Sequence, residues 1–170
     1  AVAMPFVIKS NLLILKELGK QIKQCEKEIE KTIKSEEWLA EKVNKLITIN
    51  GVGFITLAIV IAETQGFALV SSRKQLASYA GYDVVQVESG TSVKGKTHIS
   101  KKGNSRIRAS LYFPSLTASR HNKELKEDYQ RINIGKASKM VGATALQRKL
   151  LLLIYTLWKN NDVFRTSGDH

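Results

Sequence analysis

A single cysteine, Cys25, in a chain of 170 residues excludes an intrachain disulfide. Only three histidines accompany it, and no zinc-ligand spacing arises. Long hydrophobic runs are missing too. The two longest nearly apolar stretches, 52–62 and 150–158, are too short to cross a bilayer. The N-terminus lacks a charged-then-apolar leader ending in a cleavage site. These absences predict a reducing, cytoplasmic setting with no membrane partner.

Acidic residues are scarce: 15 Asp and Glu face 27 Lys and Arg, giving a net charge of +12 and a pI near 9.8. Solubility does not demand that excess, whereas a polyanionic partner does. The imbalance is local. Between Ser89 and Lys123 lie eight basic residues and no acidic one. Nucleic acid is favoured over an acidic membrane surface, because no helix joins a basic face to exposed Trp or Phe in the interfacial pattern. With 43% hydrophobic residues the chain can bury a core, and its length suits one domain, or one domain and an appendage.

Apolar residues near the start fall into a heptad. Ile8, Leu15, Ile22 and Ile29 take one position, Leu18 and Cys25 the other, with Thr32 next in register. Lys, Glu and Gln fill the remaining faces, so residues 8–34 read as a long helix with a coiled-coil-like seam. That seam needs a partner, either the rest of the chain or a second copy. Residues 46–63 then place two apolar helical stretches around N-G-V-G, where Gly51 and Gly53 supply backbone freedom. The outline is that of a helix–hairpin–helix, whose turn N–H groups meet a phosphate. An ordinary tight helix–helix connection is the plainer alternative.

Further along, Ser71 and Ser72 cap a helix over 73–80, ended by Gly81. Residues 83–88 alternate like a short strand, and 91–103 read as a Gly/Ser/Lys-rich loop. Asn104 or Ser105 caps a helix to about Ser119, another helix covers 123–132, and the last and most apolar covers 136–159. The expected fold is mainly α. A coiled-coil-like arm over 1–45 precedes a compact helical domain over 46–170, with a hairpin-like motif and one short β-segment leading into a basic loop.

Residues 90–97 spell G-x-x-x-x-G-K-T, the phosphate-cradling P-loop pattern. A working P-loop opens a helix at its Lys-Thr end and needs a later apolar strand ending in Asp to hold magnesium. Residues 98–104 instead suit a loop, and no such strand follows. The match is read as coincidental.

Five blocks in order carry a more specific pattern. They are L-x-x-I-x-G-V-G at 46–53, T-x-A-x-x-x-A-E at 56–63, and a third block with Leu69, Ser71, Arg73, Leu76, Ala77, Ser78, Tyr79, Ala80 and Gly81. Ser89-Gly90 follows, then I-S-K-x-G-N-x-x-I-R at 99–108. As a set they resemble the IS-one-ten insertion-sequence transposases, a family that includes pilin-gene DNA invertases. Asn50 stands where that family usually has proline, and the proline usual after the glycine matched by Gly81 is also lacking.

The resemblance implies a DNA recombinase with an N-terminal RuvC-like domain, whose acidic tetrad binds Mg2+, joined by a coiled-coil arm to a C-terminal transposase domain. Only the arm and the C-terminal domain are matched, so the chain is expected to be a fragment without the metal-binding half. By itself it is expected to need no cofactor and to lack activity. The family implies a serine nucleophile and partner sites chosen by a structured guide RNA in studied members. The serine matched is Ser89, with Ser92 and Ser100 as lesser candidates. A phosphoserine link conserves the phosphodiester bond energy and needs nearby cations.

Nucleic-acid contacts are expected from Gly51, Gly53, Lys94, Lys96, Ser100, Lys101, Lys102, Asn104 and Arg106. Arg106 and Arg108 lie about 200° apart on a helix. Arg106 with Lys102 is therefore the expected phosphate pair, and Arg108 the internal anchor to Glu63 or Glu88. The competing class is a non-catalytic helix–hairpin–helix DNA-binding module. Expected partners are DNA, a guide RNA and a second copy through the N-terminal helix.

Overall fold

The computed structural model describes residues 4–85 and 97–165, and the backbone of residues 88–89 and 93–94. Contacts divide the chain into two compact units, one ending at Glu41 and one beginning at Lys42. In the first, α1 (Pro5–Ser35) is one continuous helix, started by a proline in its first turn, where no intrahelical N–H is needed. Its heptad residues Ile8, Leu15, Leu18, Ile22, Cys25 and Ile29 are all solvent-exposed. Surface pairs one turn apart, Lys20–Glu17 at 2.9 Å and Lys34–Glu30 at 2.6 Å, support the polar face. The helix α2 (Glu37–Leu46) spans the boundary between the units.

The second unit is a helical domain made of the end of α2, α3 (Phe54–Glu63), α4 (Arg73–Tyr79), α5 (Ser105–His121), α6 (Lys123–Asn133) and α7 (Met140–Asn160). Among the described residues, four two-residue strands lie between α4 and α5: β1 (Val84–Val85), β2 (Glu88–Ser89), β3 (Val93–Lys94) and β4 (His98–Ile99). β1 pairs antiparallel with β4 and β2 with β3. His98 and Ile99, expected within a loop, thus pair with Val85 and Val84 of the expected strand. Two-residue pieces are too short for alternation to show in a sequence.

α7 packs on α4, α5 and α6, and α5 also packs on α3. The core joins Leu57, Phe67, Leu76, Tyr82, Ile107, Leu111, Leu146, Leu150, Leu151 and Ile154, each essentially without solvent exposure. α7 is long and apolar enough to cross a membrane, but half of its most apolar stretch is buried inside this domain. Packing accounts for its composition. It starts at Met140 rather than 136, because Gly135 turns left-handed (φ +68°) and Ser138 accepts the N–H groups of Met140 and Val141.

Pro114 lies inside α5 without breaking it. Its missing N–H leaves the Ser110 carbonyl free, and the Thr56 hydroxyl donates to that carbonyl over a long 3.4 Å. Gly51, at φ +91°, lies on the same stretch of helix. A Cβ there would come within 3.0 Å of the Pro114 carbonyl oxygen and of the Ala118 nitrogen. The 47–53 connection is therefore pressed onto the backbone of α5, which only glycine permits at that point.

Candidate nucleic-acid interface

Three of the sequence blocks meet around one carboxylate. Glu63, the last residue of α3, accepts from the Asn104 amide at 2.6 Å and from the Arg106 guanidinium at 2.9 Å. Those two bonds, Asn104 first, hold its carboxyl below the usual carboxylate range. The Glu63 backbone carbonyl accepts from the Tyr79 hydroxyl at 2.8 Å, and the Tyr79 carbonyl accepts from the Asn104 N–H at 2.7 Å. Asn104 also caps α5, its side-chain oxygen accepting from the N–H groups of Arg106 and Ile107.

Gly103 makes this closure possible. A Cβ there would fall 2.2 Å from the Tyr79 oxygen and 2.3 Å from the Gly81 nitrogen. Arg108 locks the same junction from inside. It donates to the carbonyls of Ala80 at 2.8 Å, Gly103 at 2.9 Å and Lys101 at 3.2 Å. The roles expected of the two arginines are thus redistributed. Arg106, whose side chain is 78% exposed, pairs with Glu63, and Arg108 anchors on main-chain oxygens instead of an acid. The 200° separation of the pair is what sends them to opposite sides.

The paired strands rise from this junction. Ser100 N–H donates to the Asp83 carbonyl at 2.9 Å and its hydroxyl to the Asp83 carboxylate at 2.5 Å, directly beyond the Val84–Ile99 pair. Lys101 takes a left-handed φ of +55° and donates its N–H to Gly81. The side chains of Lys101 and Lys102 stay exposed. Further along, Ser89 pairs with Val93 and Glu88 with Lys94. Ser89 and Lys94 are described by backbone alone, while Gly90, Ser92 and Lys96 lie outside the described residues.

Of the predicted contact residues, Lys101, Lys102, Ser100, Asn104 and Arg106 share the junction. The hydroxyl of Ser100 is committed to Asp83, and the amide of Asn104 to Glu63. Gly51 faces α5, whereas Gly53, before the first turn of α3, has open space where a side chain would be. Sequence reasoning missed the structural roles of Asp83 and Tyr79, and named Glu63 only as a partner for Arg108. Both Glu63 and Tyr79 stood in the quoted blocks, which was the available signal. Among the described residues no three His, Cys, Asp or Glu gather to hold a metal ion.

The sequence model of the "Transposase IS116/IS110/IS902 family" matches residues 43–130. A pilin gene-inverting protein of Moraxella bovis is 29% identical over 148 residues, covering 84% of this chain and 45% of that relative. The corresponding protein of Moraxella lacunata is 30% identical over 151 residues, with the same coverage. The chain therefore spans a little under half the length of these two relatives.

Proposed function

Since the chain belongs to the Transposase IS116/IS110/IS902 family, we propose that it is the nucleophile-bearing, nucleic-acid-binding part of a DNA recombinase. The observation that supports this is the Glu63–Gly103–Arg108 junction, which holds the base of the β1–β4 pair and leaves Lys101 and Lys102 exposed beside it, Ser89 following β1 by four residues in sequence. Ser89 Oγ attacks a phosphodiester phosphorus, a phosphoserine bond forms, and the bond to the leaving sugar oxygen breaks. That oxygen takes up a proton, and the serine proton passes to solvent or a base. Attack on the phosphoserine by another strand's hydroxyl reverses these steps, so strands exchange without ATP. The loop lysines offset charge gathering on the phosphoryl oxygens.

The steps above use only groups of this chain and of the nucleic acid. In this reading Mg2+ would be supplied by an acidic tetrad in a longer protein, and a guide RNA would choose the target. The exposed seam of α1 supports self-association through that helix. The pilin-inverting activity named for the two relatives supports DNA as the substrate.

One observation favours a second reading, a non-catalytic helix–hairpin–helix module: the start of α3 at Gly53 is open to a phosphate. Strand exchange by the complete protein separates the two. Ser89→Ala abolishes exchange and leaves DNA binding in place if Ser89 is the nucleophile. Unchanged exchange removes that role.

A further inference from the structure

A second basic surface lies in the same domain, at the other end of α5 from the Glu63 junction. Between the end of α5, α6 and the entry to α7 is a cavity of about 380 Å3. Arg120, Lys126 and Lys139 line it, all three exposed and without an acidic partner among the described residues; no Asp or Glu is part of its wall. On the adjoining stretch of α6, Asp128 is held by Arg131 and Lys149, and Glu124 and Glu127 lie outside the cavity wall. Tyr129 and Leu116, both half-buried, supply an aromatic and an aliphatic wall.

The inner wall is built for rigidity. Asn133 accepts the Gly142 N–H at 3.0 Å, and a Cβ on Gly142 would fall 2.3 Å from the Asn133 amide nitrogen. That contact fixes which way the amide points, and its nitrogen is buried with no acceptor. Arg120, Lys126 and Lys139 line one cavity whose wall holds no carboxylate, the charge pattern of an anion site.

We propose that this cavity binds one nucleotide of a single-stranded nucleic acid, its phosphate on Arg120, Lys126 and Lys139 and its base against Tyr129 and Leu116. The chemistry is that of single-strand sites generally, in which cations follow the backbone and an aromatic ring takes the base. A phosphate alone would leave most of the cavity unfilled, and a base in a duplex reaches such a wall only after unstacking and unpairing, which a single strand does not require. The proposal rests on the reading of the chain as a nucleic-acid-handling domain, and extends it to a strand held away from Ser89.

The test is fluorescence anisotropy with the whole chain and labelled single-stranded DNA, single-stranded RNA and duplex DNA, each over a salt series. Arg120→Ala/Lys126→Ala/Lys139→Ala should weaken single-strand binding about ten-fold or more and flatten its salt slope. Lys16→Ala/Lys23→Ala/Lys27→Ala on α1, which removes the same charge, should change it less than about three-fold. Tyr129→Leu should weaken both single strands about five-fold and leave the duplex unchanged. Equal effects of the two triple variants, or a Tyr129→Leu variant that binds single strands like the parent, would overturn the pocket. Absence of binding to all three probes by the parent chain would instead sink the reading on which it rests. A 5-iodouracil single strand should photo-cross-link to Tyr129, and cross-linking elsewhere alone also counts against the proposal.

Discussion

Gly103 lies so close to Gly81 that a Cβ on Gly103 would sit 2.3 Å from the Gly81 nitrogen, and one on Gly81 2.7 Å from the Gly103 nitrogen. The obstacles are backbone atoms, which cannot swing aside. Gly103→Ala is expected to cost about 1–3 kcal/mol by overpacking, read as a lower denaturant midpoint. Gly19→Ala is the control. That glycine is inside α1 with nothing near its missing side chain, and the change should stabilise the helix by about 0.5–1 kcal/mol.

Arg108 reaches three carbonyls from one planar fork, and lysine cannot copy that geometry. Arg108→Lys keeps the charge, yet should lose about 1.5–3 kcal/mol of stability, since hydrogen bonds from a charged donor are being given up. Lys101→Ala/Lys102→Ala should show the opposite signature: an unchanged melting temperature, and a salt slope for DNA binding reduced by about one to two. Finding both effects in the same variant would erase the distinction between anchor and contact residues.

Much of this organisation was legible beforehand, for reasons that differ by element. The heptad gave α1 nearly to its ends, because a 31-residue helix repeats its pattern many times. The caps Ser72, Asn104 and Asn122 precede their helices, each with a side-chain bond to an early N–H, although Asn122 was not named in advance. The partner of Gly51 was not legible. A glycine between two helices announces a close approach, but a phosphate and a neighbouring helix backbone ask for the same residue. Arg106 and Arg108 were separable by helical phase, but Glu63 at the end of α3 and Ala80 after α4 are distant in sequence, and the turn that presents the Lys101 and Gly103 carbonyls has no local pattern. The cavity beside Tyr129 draws on three helices at once and left no local pattern.

The carboxyl of Glu63 is held below the usual range by Asn104 and then Arg106, so its bonds contribute stability above the unfolded carboxylate value and lose it as pH falls through the lower folded value. Asp128 follows the same sign through Lys149 and Arg131. Glu63→Gln should therefore destabilise the protein at neutral pH, with the difference from the parent shrinking as pH drops from about 5 toward 3. Urea midpoints across that range provide the check. A difference that is constant with pH would mean the Glu63 charge is not what holds the junction.

The exposed seam of α1 places five large apolar side chains, Ile8, Leu15, Leu18, Ile22 and Ile29, along one face, and Phe6, Val7, Leu12, Leu13 and Ile14 are exposed off the seam in its first half. Leaving such a stripe in water is costly, by roughly 25 cal/mol for each Å2 of apolar surface, and pairing two stripes as a coiled coil removes that cost. Leu15→Lys/Ile22→Lys should convert a self-associating chain into a monomer by sedimentation equilibrium. The unit from Lys42 onward has its own core, formed by residues such as Leu57, Ile107 and Leu150, so its melting transition should persist in the same variant. A parent chain that sediments as a monomer at all concentrations would show that the seam is not a self-association surface.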